Sequence, residues 1–236
     1  MRQYEQVIEV LRKNGGYATL GFLNQNVDVS NWVTRTPYAS IRRIVQDNRY
    51  FFKIKPGLWA SNEYKNEILK KFDIEKSIEK NIEFNHSYYQ GLLIEIGNLK
   101  GLQTYIPPQD KNKNYLNSKL GDISSLSNIL DFSYNEIVNR AKTVDVIWFN
   151  ERKLPNSFFE VEHSTDIQNS LLKFYDLQDF YSKFYVVSAL DRKLEFEKKI
   201  NYGAFKEIKN RVKFVDYEMI SNLHTKSSEL AKIVTL

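Results

Sequence analysis

The chain has 236 residues, 42% hydrophobic and 27% charged, with a net charge of +5. These proportions suit one medium or two small folded domains and exclude wholesale disorder. With no cysteine, the chain has no disulfide framework, no thiolate zinc site and no cysteine nucleophile.

The opening stretch MRQYEQVIEVLRKN has no apolar signal-peptide core, and runs such as FYVVSAL are too short to span a bilayer. A soluble, cytoplasmic chain with no membrane partner is expected. The charge is uneven. Residues 1–61 hold nine Lys or Arg against four acids, so the whole excess of +5 lies there and the rest is neutral. A local basic excess points to an anionic partner such as nucleic acid, although five charges also serve solubility.

Tyr4, Val7, Ile8 and Leu11 recur at helical spacing, so residues 4–13 are expected to be helical and to end at Asn14-Gly15-Gly16. A second short helix is expected over 19–26, capped by Thr19. A third is expected over 37–47, with Pro37 in its first turn and Thr36 as its cap. Residues 50–54 and 58–60, joined by Lys55-Pro56-Gly57, read as a hairpin.

Three helices and a hairpin within about sixty residues follow the layout of a winged helix. The segment PYASIRRIVQDNRYFFKIKPGLWA resembles winged helices of the HARE-HTH type, whose wing closes on Gly-Leu-Trp. On that reading Ser40, Arg42, Arg43, Gln46 and Arg49 belong to a recognition helix and its end, and Lys53 and Lys55 to the wing. All seven are DNA-contact candidates; the alternative is a winged helix that binds protein.

Residues 62–84 alternate acids and bases without Pro or Gly and read as a helical connector. The expected division is therefore 1–61, 62–84 and 85–236. Past the connector, helices are expected over 86–99, 131–141 and 167–181. Strands are expected over 102–107, 143–149, 157–163, 184–189 and 213–217. The apolar 184–189 has the pattern of an interior strand. The order argues for an α/β sandwich around a mixed sheet.

Asp145, Glu160 and Glu162 interrupt otherwise apolar strands. Glu160 and Glu162 share a face by alternation, and a hairpin that sets Asp145 opposite either would gather all three. Burying unpaired carboxylates together is costly, and a divalent cation compensates with oxygen ligands and activates water against a phosphodiester. A wet face or pairing with Lys or Arg would also explain them. Ile147, Phe149 and Phe158 share that face by parity, which argues against a simply wet one.

Asp145, then Glu160-Val161-Glu162 after fourteen intervening residues, then a helix and a strand, resembles the PD-(D/E)xK nuclease superfamily, and within it a type II restriction endonuclease. The resemblance implies an αβββαβ core and a metal pair in Asp145 and Glu160. Val161 would fill the variable slot, with its carbonyl as a further ligand. It also implies Mg²⁺, for which Mn²⁺ can substitute, with double-stranded DNA as substrate and a homodimer cutting both strands.

Glu162 stands where the family usually has lysine, so it would bind water or a second metal. Lys173 on the next helix is the substitute considered for the missing cation, against a plain surface lysine. In related nucleases the first core helix adds a polar group, for which Gln90 and Glu95 are candidates. Gln109, Asp110 and Lys111, in a basic amide-rich loop, are possible accessory contacts. The histidines His86, His163 and His224 look too dispersed for a metal site. No G-x-x-x-x-G-K-[ST] occurs, so no nucleotide cofactor is expected. The alternatives are a non-catalytic DNA-binding regulator, or a nuclease for repair or modified DNA.

Overall fold

The structure, a computed structural model, describes residues 1–72 and 78–234. The chain divides into two compact units: Met1–Asn81 with Ser221–Leu236, and Ile82–Ile220.

The first unit runs α1 (Gln3–Lys13), β1 (Tyr17–Thr19), α2 (Leu20–Asn26), α3 (Pro37–Val45), β2 (Phe51–Lys55), β3 (Leu58–Ser61) and α4 (Lys65–Lys71). Its strands form an antiparallel sheet in the order β1-β3-β2. The periodic apolar residues of α1 and α3 meet in one core of Val7, Leu11, Leu23, Ile41, Val45 and Phe51. Each such buried side chain contributes roughly 1.5–3 kcal/mol. The Thr19 hydroxyl accepts from the Phe22 N–H at 3.1 Å and caps α2 as expected.

Strand β1 is an addition, since three residues carry no readable alternation. Thr36 does occupy the cap position of α3, but its side chain makes no cap bond. The Ser40 N–H instead donates to the Thr36 carbonyl at 3.1 Å. The helix stops at Val45, two residues earlier than expected.

The connector is not uniformly solvated: Ile68 of α4 is buried in the first unit. Residues 73–77 of that segment lie outside the described residues. The far end of the chain also differs from the expected 85–236 division. The helix α10 (Tyr217–Val234) packs its later residues in the first unit. A Cβ on Gly21 would stand 2.6 Å from Ser228 Oγ and 2.9 Å from His224 Cε1, so glycine is what lets α10 approach α2. Asn24 Nδ2 then donates to Glu229 at 3.0 Å.

In the second unit come α5 (Ile78–Leu99), β4 (Gln103–Tyr105), β5 (Asn114–Tyr115), β6 (Ser118–Lys119), α6 (Leu120–Ile123) and α7 (Asn135–Ala141). They are followed by β7 (Val146–Phe149), β8 (Pro155–Glu162), α8 (Ile167–Asp176), β9 (Lys183–Ser188), α9 (Lys193–Ile200) and β10 (Val212–Asp216). The main sheet has the order β10-β9-β8-β7-β4. Strands β4, β7 and β8 are antiparallel neighbours, while β8, β9 and β10 run parallel. The expected mixed sheet is therefore present, with β9 in its interior.

One face packs Ile147, Phe149 and Phe158 against Ile167, Leu171 and Phe174 of α8. On the other, Trp148 Nε1 donates to the Leu93 carbonyl of α5 at 3.0 Å. Helix α7 is shorter than the expected 131–141, because the Phe132 ring packs on Phe149 and Phe180 and holds the preceding chain in the core. Helix α8 likewise ends at Asp176, not Tyr181. Among the described residues no helix is long and apolar enough to cross a membrane.

Strands β5 and β6 form a small hairpin outside the main sheet. A Cβ on Gly91 of α5 would lie 2.1 Å from the Tyr115 ring, so the bare glycine forms the seat for that ring. Gly91→Ala is expected to destabilise the second unit by about 1–3 kcal/mol through this overlap. Thermal denaturation checks it; an unchanged midpoint would mean that Tyr115 swings aside freely.

Candidate active site

The β7–β8 register pairs Val146 with Phe159 and Ile147 with Phe158. Continued by one residue, it sets Asp145 opposite Glu160. Asp145 is not inside the strand, as the apolar run implied, but at its entrance. There the end of α7 turns the chain, with the Val144 N–H bonded to the Ala141 carbonyl at 3.0 Å.

Asp145 is held from two elements. Its Oδ2 accepts from the Val161 N–H at 2.7 Å and lies 3.2 Å from His86 Nε2 of α5. Burial alone would raise the Asp145 pKa. The His86 hydrogen bond and charge, the Val161 N–H and Lys173 outweigh it, and the net shift is downward. For His86, burial works to lower the pKa, and Asp145 overcomes it to give a net rise.

Glu160 is 3% exposed. Lys173 Nζ reaches both of its oxygens, at 3.0 and 2.8 Å, and also donates to the Thr143 carbonyl at 2.8 Å. The surface-lysine alternative therefore fails: α8 aims Lys173 at the acid. Burial pushes the Glu160 pKa well up and the Asp145 charge adds to it, with only partial relief from Lys173.

Glu162 points the same way but has different company. Its two oxygens are taken by the hydroxyls of Ser170 and Thr165. Burial raises its pKa, partly offset by Ser170. The Ser170 hydroxyl also lies 3.3 Å from Glu160, so it bridges the two glutamates. The expected meeting of three acids thus reduces to an Asp145–Glu160 pair with Glu162 tied to one side by hydroxyls. Among the described residues no three His, Asp or Glu side chains form a ready metal cage.

Gln90 is fully buried, and its Nε2 donates to the Asp145 carbonyl at 3.2 Å and to Asp110 Oδ2 at 2.8 Å. Asp110 also pairs with Lys113 at 2.7 Å. Of the accessory candidates, Gln90 and Asp110 are thereby linked to the acid site. Glu95 is spent on the Tyr115 hydroxyl at 3.0 Å, Lys111 on the Ser127 carbonyl, and Gln109 is exposed. His86 was missed. The signal was its four-residue spacing from Gln90, which puts both on one side of α5. His163 lies by the Tyr217 hydroxyl, and His224 belongs to the first unit.

In the first unit, Arg42, Arg43, Gln46, Arg49 and Lys53 are exposed, and Lys55 is half-buried with its pKa lowered by burial. Arg49 grips Asp47 at 2.6 Å, which offsets its charge. Arg42 Nη2 donates to Asn222 at 3.4 Å. Ser40 does not belong with them: it is buried, and its hydroxyl bonds Thr34 and the Thr36 carbonyl.

The family described as type II restriction enzyme NmeDI C-terminal domain matches residues 68–235. The type II restriction enzyme NmeDI of Neisseria meningitidis serogroup C is 25% identical over 158 residues, covering 63% of this chain and 44% of that protein. The chain therefore matches less than half the length of this relative. No solved structure matches.

Proposed function

The chain belongs to the family of the type II restriction enzyme NmeDI C-terminal domain, and from that premise we propose that it is a metal-dependent endonuclease. Its substrate on this reading is double-stranded DNA, cut at a specific site by hydrolysis of phosphodiester bonds. The carrying observation is the register that sets Asp145 opposite Glu160, with Lys173 on Glu160.

A divalent cation fits this pair. Mg²⁺ commonly takes one or two carboxylates and fills its remaining positions with water and phosphate oxygens. Two opposed hard-oxygen donors, one of them buried and repelled by the other, match that demand better than a closed cage does. Asp145 and Glu160 would hold Mg²⁺ or Mn²⁺, with the Val161 carbonyl as a third donor. When bound, the cation lowers the pKa of water and stabilises the leaving oxygen. Lys173 supplies the positive charge that the strand position of Glu162 lacks, oriented by the Thr143 carbonyl. His86 and the Val161 N–H fix the Asp145 carboxylate so that it does not reorganise during reaction. Glu162 keeps Ser170 and Thr165 in place beside the pair, in place of the water-binding role expected for it.

The first unit is read as a winged helix that binds duplex DNA. Its order α1-β1-α2-α3-β2-β3 and the exposed Arg42, Arg43, Gln46 and Lys53 support this. Cutting both strands takes two active sites, which a two-fold dimer supplies.

The test is digestion of unmethylated plasmid DNA. Discrete fragments are expected with Mg²⁺ or Mn²⁺, and none once EDTA removes the metal. Plasmid left intact by active-concentration protein with either metal would overturn the proposal.

A further inference from the structure

The loop after β4 carries a hairpin that neither the acid site nor the basic first unit explains. Residues 111–119 read KNKNYLNSK, three lysines and three asparagines with no acid. The segment is locked from inside. Tyr115 is buried over Gly91, and its hydroxyl donates to Glu95 at 3.0 Å. Asp110 binds Gln90 and Lys113. The Leu120 N–H closes the base of the ribbon on the Lys113 carbonyl at 3.0 Å, and the Gly121 N–H bonds the Lys111 carbonyl at 2.9 Å. Tyr115 and Leu120 are buried, while Asn112, Asn114, Asn117, Ser118 and Lys119 are exposed.

We infer that the β5–β6 hairpin reads base edges of duplex DNA in the major groove, Asn114, Asn117 and Lys119 being its specificity-determining side chains. The inference rests on the nuclease reading above and names where part of its sequence choice lies. A two-stranded ribbon fits the major groove, where an asparagine amide pairs with the N6 and N7 edge of adenine and lysine binds guanine O6 and N7. Rigid mounting matters because a reader displaced by about an ångström loses its geometry. Here the mount is shared with the acid site. Helix α5 seats Tyr115 at Gly91, and it presents Gln90, the residue just before, and His86, somewhat more than one turn earlier, to Asp145. Gln90 joins Asp110 at the foot of the hairpin to the Asp145 backbone through one amide nitrogen. The bases read by the ribbon are thereby held at a fixed offset from the bond cut.

Selection from a random-sequence duplex library, with Ca²⁺ in place of Mg²⁺, tests this on the full chain. The wild type is expected to enrich a defined sequence. Asn114→Ala with Asn117→Ala is expected to lose preference at one or two positions by roughly tenfold or more, and Lys119→Ala at another. Glu136→Ala, exposed on α7, is the control and should keep the full sequence. An unaltered sequence in both hairpin variants would overturn the inference, as would a wild type that selects no sequence. Selection retained without any cleavage in Mg²⁺ would instead overturn the nuclease reading and leave the hairpin as the reader.

Discussion

Glu160→Gln is expected to cut DNA on the order of a thousandfold more slowly than the wild type, while its thermal midpoint stays within a few degrees. The two halves of that result have separate causes. A metal acting on the scissile phosphate supplies several kcal/mol of transition-state stabilisation, and about 4 kcal/mol corresponds to about a thousandfold in rate. The neutral amide cannot supply the anionic ligand. Stability follows a different account, since Glu160 is 3% exposed and repelled by Asp145, and Lys173 only partly offsets the cost of its charge. Replacing a buried charge by a neutral group of the same shape removes a desolvation cost as well as an attraction. An acid present for folding would show the opposite pattern, a lower midpoint with cleavage intact. Single-turnover cleavage beside thermal denaturation separates the two, and Asp145→Asn is expected to match Glu160→Gln in rate.

How much of this was legible depends on the range of the interactions. Alternation and helical spacing are local, so the strand carrying Glu160, the helix carrying Lys173 and the turn at Asn14-Gly15-Gly16 could be read directly. The pairing of Asp145 was open between Glu160 and Glu162 by alternation, and it rests on a register irregularity between Trp148 and Phe149 that shifts the β7–β8 pairing by one residue. The fate of Glu162 did not follow from alternation, which gives the face of a side chain but not its partners. Ser170 and Thr165 come from the next helix and its approach, and nothing in their spacing marks them as ligands of an acid. His86 is the harder case. It lies 59 residues from Asp145 in the chain, and only the packing of α5 on the sheet brings them to 3.2 Å. The return of α10 to the first unit was hidden for the same reason: Gly21 and His224 are far apart in sequence, and a glycine seat looks like any helical glycine.

Lys173→Met is expected to lower cleavage by about a hundredfold or more and, unlike Glu160→Gln, to destabilise the second unit. The lysine ammonium is the closest positive group to Glu160, at 2.8 Å, and its side chain is only 20% exposed. Removing the ammonium takes away the charged partner of a buried carboxyl whose pKa burial already holds well up, so the carboxyl is driven to its neutral form and the attraction of the pair is lost. The Asp145 charge works in the same direction. The rate loss arises because no other cation among the described residues bonds Glu160 to offset the charge of the transition state. Combining Lys173→Met with Glu160→Gln is expected to recover stability but no activity, since both members of the pair are then neutral and the changes are coupled. Lys173→Arg tests charge against shape. The guanidinium keeps the charge, but its planar fork cannot reproduce the single ammonium shared between Glu160 and the Thr143 carbonyl, so a partial rate is expected. If Lys173→Met cuts DNA at the wild-type rate, the lysine is a structural clamp, and the charge opposite the scissile phosphate has to come from a second metal.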